Sequence, residues 1–80
     1  MTDETWSDET KAYTRTSLED MDFVSRMKRI CFKHKGGGFA YMLGEDVLHG
    51  HYALYAMATD EAIETFNIVD ELLAGNWVLD

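Results

Sequence analysis

One cysteine, Cys31, stands in the 80-residue chain, so no disulfide can form within it. Secreted domains of this size usually rely on such cross-links. No stretch comes near the ~18 consecutive apolar residues that a membrane-spanning helix requires. The opening Met1-Thr-Asp-Glu-Thr-Trp-Ser-Asp-Glu carries acid where a signal peptide carries base followed by an apolar run. These absences predict a cytoplasmic location, in a host cell if the chain is phage-encoded, and no membrane partner. Cations are the other shortage: 7 Lys and Arg stand against 15 Asp and Glu, a net charge of −8 with His neutral. That balance speaks against direct nucleic-acid binding, because phosphate contacts need a positive surface. The length allows one small domain with a thin core, too little for a separate substrate domain. With 46% hydrophobic residues, a folded chain is expected rather than a disordered one.

Charge is distributed in blocks. Residues 1–25 hold seven acids and two bases; residues 26–38 hold Arg26, Lys28, Arg29, Lys33 and Lys35 and no acid. Residues 39–80 hold eight acids and no Lys or Arg, so this half presents a one-signed field. The basic block can pair with the acidic ones inside the fold, as mixed surface charge commonly does.

Residues 1–16 are polar, Thr-rich and without period, and read as an N-terminal arm, loose or docked through Trp6 and Tyr13. Residues 17–80 read as a single α+β domain. Residues 17–35 carry helix signs: Ser17 as N-cap with Asp20 in the capping-box position, acids early, Lys33, His34 and Lys35 late, and Gly36 as the stop. Phe23, Val24, Met27, Ile30 and Cys31 share one helical face. A strand from Arg29 to Lys33 competes, because Ile30 and Phe32 alternate with charged residues; the caps favour the helix. Gly36–Gly38 reads as a loop, Phe39–Leu43 as a strand, and Gly44-Glu45-Asp46 as a turn. Val47–Ala58 reads as a second strand broken at Gly50, with an Ala-containing helix as the alternative.

A second helix is predicted from Thr59 or Asp60 to Gly75, with Ala62, Phe66, Val69 and Leu73 on one side. Trp77-Val78-Leu79 then forms a last strand. The order is helix, strand, strand, helix, strand: a two-layer α+β domain with a small antiparallel sheet, or alternatively a mostly α fold.

On that second helix Asp60, Glu64, Asn67 and Glu71 fall within a wedge of roughly 60° opposite the apolar side. Glu61 and Asp70 edge the ridge, no cation stands at i+3 or i+4 to relieve it, and Ile63 and Ile68 flank it. An anionic row bordered by aliphatic side chains suits a basic protein surface, the charge steering the encounter and the apolar rim adding contact. The bland reading is a solvated helix face.

Cys31, His34, His49 and His51 supply four zinc-type donors, but Cys-x2-His followed by His-x-His is not a familiar zinc spacing. A buried thiol with surface histidines is expected, and no metal or other cofactor. Lys35-Gly36-Gly37-Gly38 has glycine amides that can cradle an anion, but a Walker loop would put Gly-Lys-Ser/Thr at a helix start, whereas these glycines precede a strand. Lys35–Tyr41 loosely resembles the RNA-stacking strand of RNA-recognition-motif domains, which requires an aromatic where Gly37 stands. No Ser or Cys has a His in a recognised catalytic arrangement, and no carboxylates form an acid/base pair, so no enzyme is expected.

In size, acidity and the row Asp60, Glu61, Glu64, Asp70 and Glu71, the chain resembles the small acidic inhibitors of phages and mobile elements, in particular anti-CRISPR proteins. The resemblance is one of general character, without a signature motif. It implies a non-enzymatic inhibitor that docks on a basic surface of a CRISPR effector or nuclease subunit and blocks nucleic-acid access or assembly. The alternatives are a module that self-associates, as a homodimer, through an apolar sheet edge, and a small zinc-binding protein.

Overall fold

The computed structural model describes residues 5–80. Ser7 opens the first element: its side chain accepts the Thr10 N–H, and α1 runs Asp8–Glu19 with Asp8 and Glu9 in its first turn. Residues 8–16, expected as part of a polar arm, are therefore helical, while residues 1–4 lie outside the described residues. The Thr-rich sequence hid this helix because it buries only Thr14 and Leu18, one i, i+4 pair. Of the two aromatics proposed to dock the arm, Trp6 does so, donating from Nε1 to the Asn76 carbonyl at 2.9 Å. Tyr13 points outward, 66% exposed.

Asp20 ends α1 and caps α2 (Met21–Arg26), accepting the N–H groups of Asp22 and Phe23. The expected helix over 17–35 is thus two helices and a strand. Ser17 lies inside α1 rather than at a helix start, and β1 takes Arg29–His34. The alternation of Ile30 and Phe32 with Arg29, Cys31 and Lys33 prevailed because it gives two fully buried side chains on one side of a strand. Gly37 and Gly38, at φ 105° and 99°, turn the chain into β2 (Phe39–Leu43), as expected.

The predicted turn at 44–46 instead opens α3 (Gly44–Leu48). A Cβ at Gly44 would overlap the Met27 carbonyl oxygen, so only glycine lets this helix approach the end of α2. Gly50, at φ 74°, separates α3 from β3 (Tyr52–Ala56), which is all that remains of the strand expected over 47–58.

The second long helix is also corrected. β4 occupies Ala62–Phe66 and α4 only Val69–Ala74, with the helix closed at Gly75 as expected. Phe66, Val69 and Leu73 are buried as the helical spacing required, yet Ala62 is exposed. Strand formers Ile63 and Thr65 pair with β3, and the short helix begins after Ile68. β5 (Trp77–Leu79) matches the expectation.

The five strands order as β4-β3-β2-β1-β5, every neighbour antiparallel. The α+β class with a small antiparallel sheet holds, with more elements than the sequence suggested. Register pairs Ile30 with Met42 and Phe32 with Ala40, so these side chains share a face. With Leu54 they meet Leu18, Val24, Val47, Val69, Leu72 and Leu73 of the helices, forming one core. Each large side chain buried there stabilises the fold by ~1.5–3 kcal/mol.

Candidate protein-docking edge

A sheet of this order has two borders, and the chain treats them differently. At β5 the Leu79 N–H, which points away from β1, donates to Thr14 Oγ1 at 3.0 Å. Thr14 is fully buried and its hydroxyl also donates to the Thr10 carbonyl, so α1 closes that border through a satisfied hydroxyl. β4 pairs with β3 on one side only, and Ala62, Ile63, Glu64 and Thr65 are all exposed.

The hairpin into β4 explains its start. Ala56 N–H donates to the Glu61 carbonyl and Asp60 N–H to the Ala56 carbonyl, both at 2.8 Å. Two residues thus oppose one, with Asp60 at φ 62°, the left-handed position of a G1-type bulge that Asp tolerates better than most residues. The Asp60 carboxylate then accepts the Tyr41 hydroxyl at 2.6 Å. That hydrogen bond, followed by burial and the carboxylate's charge, pushes the Tyr41 phenol above its ordinary range.

The eight residues expected to form one helical ridge therefore part company. Asp60 turns to Tyr41 on the sheet face away from the helices. Glu61 and Glu64 are exposed on or beside β4, with no cationic partner among the described residues. Ile63 and Ile68 are 46% and 53% exposed, as a docking rim requires. Asp70 pairs with Arg15 of α1, which raises the guanidinium's pKa through their hydrogen bond. Glu71 reaches back to accept the Asn67 N–H at 2.8 Å, supplying α4 with the cap that Ile68 lacks. Glu64, Asn67 and Glu71 meet again along an open groove of about 640 Å³, walled on its far side by His34 and Trp77.

The four zinc-type donors do not converge. Cys31 and His34 lie three apart on a strand and point to opposite faces. His34 accepts the Gly36 N–H on Nδ1 at 3.0 Å and donates from Nε2 to the Gly75 carbonyl at 2.9 Å, leaving neither nitrogen for a metal. His49 bonds the Glu45 carbonyl in its own helix. Among the described residues no three His, Cys, Asp or Glu side chains gather closely enough to hold an ion.

The basic block pairs little with the acids. Arg26 approaches Asp22 only at 4.0 Å, both side chains well exposed. Arg29 instead lies over the Tyr41 ring at 4.4 Å, while Lys33 and Lys35 lie over Trp6 at 5.1 and 4.7 Å. Sequence reasoning missed these partnerships and the sealing role of Thr14. The alternation Ile63-x-Thr65 was the available signal for an edge strand.

No protein-family model matches the chain, and no curated protein or solved structure is significantly similar to it.

Proposed function

We propose that the chain is a non-enzymatic, acidic binding protein of the anti-CRISPR type, an inhibitor that occupies a basic nucleic-acid-binding surface. Its partner is a CRISPR effector or nuclease subunit, and the bound chain blocks nucleic-acid access or assembly. The observation that carries this reading is the β4 border: Glu61 and Glu64 project, uncompensated, from an open strand rimmed by Ile63 and Ile68. That border belongs to a half of the chain without a single Lys or Arg. Charge steers the encounter, and burial of the two isoleucines supplies contact that salt does not screen.

The homodimer alternative draws on the same open strand. A two-fold β4–β4 pairing would, however, set each copy's glutamates against the other's, and like charges across a strand pair destabilise it. A cationic partner suits the border better than a second copy.

The test adds the chain to purified CRISPR effectors and basic nucleases and measures nucleic-acid binding and cleavage. The expected result is inhibition of at least one, weakened tenfold or more by the double substitution E61Q/E64Q and by raised salt. Binding that the double variant leaves unchanged would overturn the reading.

A further inference from the structure

We infer that β4 takes its partner by strand addition, accepting an extended segment that carries Lys or Arg at alternate positions. The inference rests on the docking reading above and specifies how that docking is made: main chain to main chain, with charge setting the choice of segment.

The backbone argument comes first. An edge strand offers N–H and C=O groups in the geometry of the next ladder. Proteins blunt such edges with proline, lysine, a covering element or a distortion. This chain contains no proline, and no Lys or Arg follows residue 38. Cover is given to the other border, through Thr14 on Leu79, and withheld here. A register irregularity does occur opposite Leu54 and Tyr55, but beyond it Glu64, Thr65 and Phe66 pair regularly with Leu54, Ala53 and Tyr52. The open strand is rich in residues that favour the extended state, Ile63, Thr65 and Phe66.

The charges then select the occupant. Glu64 stands across from Leu54, and Glu61 across from Ala56 through the Ala56 N–H to Glu61 carbonyl bond. Leu54 and Ala56 are two apart on β3 and so share a face, which places both glutamates on the same side of the sheet. A strand laid beside β4 presents alternate side chains to that side at a spacing of ~6.6 Å. Cations at i and i+2 of the partner therefore meet both carboxylates, whereas a second copy brings glutamates to them.

Two synthetic decapeptides of equal charge separate backbone pairing from attraction alone: one alternating lysine with valine, the other alternating lysine with proline. The second keeps the charge but can neither donate along a ladder nor become a strand. Affinity is read by fluorescence anisotropy, and amide hydrogen exchange is followed across the whole chain. The lysine–valine peptide should bind at least tenfold more tightly, slow exchange at amides within residues 62–66, and lose affinity with E61Q/E64Q. Equal affinity of the two peptides, no binding of either, or slowed exchange only outside β4 would each overturn strand addition. So would a concentration-dependent dimer whose β4 amides are protected without peptide. The docking reading is judged separately, by the effect of E61Q/E64Q on enzyme inhibition, and survives equal peptide affinities.

Discussion

The Tyr41 hydroxyl and the Asp60 carboxylate, 2.6 Å apart, tie the middle of β2 to the turn that launches β4. The bond reaches over β3, whose Tyr55 stacks on Tyr41 with ring centroids 5.6 Å apart. The approach of the open strand to the sheet is thus fixed by a phenol two strands away.

Tyr41 therefore carries an alkaline signature. Its pKa is raised in the folded chain, chiefly by the bond to Asp60, so the folded state holds this proton more firmly than the unfolded state does. The contribution is fully present below the ordinary tyrosine value of about 10 and is lost as pH rises through the higher folded value. Urea midpoints between pH 8 and 12 should fall more steeply for the parent than for Tyr41→Phe. Parallel profiles would contradict the assignment.

Thr14→Val keeps shape and volume but deletes the acceptor of the Leu79 N–H. A buried donor left without a partner costs ~1–3 kcal/mol. In a domain of this size each kcal/mol moves the melting midpoint by ~4–8 °C. Thr14→Ser, which restores the hydroxyl, should recover most of the loss in a thermal melt.

Gly44→Ala should destabilise by at least the ~1–3 kcal/mol typical of overpacking, since the added carbon meets main chain rather than a side chain that can swing away. Gly37→Ala is the contrast: nothing lies within 4 Å of its Cβ position, and only the left-handed backbone resists. Its cost should be about 1 kcal/mol, in line with a non-glycine residue held in that region. Denaturant titration of both variants checks the order.

Ile63→Ser should leave stability within ~0.5 kcal/mol of the parent, because the side chain is nearly half exposed and supports no core contact. The same substitution should weaken partner binding several-fold in anisotropy or calorimetry. A loss of stability that matches the loss of binding would assign Ile63 to the fold instead.

Much of the framework was legible from local chemistry. Phe39–Leu43 and Trp77–Leu79 read as strands, the glycine run read as a turn, and Gly75 read as a helix stop, each because a few adjacent residues decide the matter. The errors arose where one spacing serves two periods. Phe66, Val69 and Leu73 are buried whether the chain ahead of Val69 is helix or strand, so their spacing could not choose between them. Ser17 and Asp20 looked like a capping pair, and Asp20 does cap a helix, though not one that Ser17 begins. At β1 the burial of Ile30 and Phe32 outweighed cap signals, and those partners come from strands far along the chain. The candidate site fared similarly. Glu61, Ile63, Glu64 and Ile68 stand exposed as their surroundings suggested, while Asp60, Asp70 and Glu71 found partners that no local pattern specifies.

The seal that α1 places on β5 also fixes how many neighbours one molecule can accept. With a single vacant lane, a complex formed there stops at one junction. Cutting away everything before Asp20 would bare a second lane on the opposite flank, and units with two such lanes join end to end into fibrils. The first helix is in this sense a terminator, holding the stoichiometry at one to one.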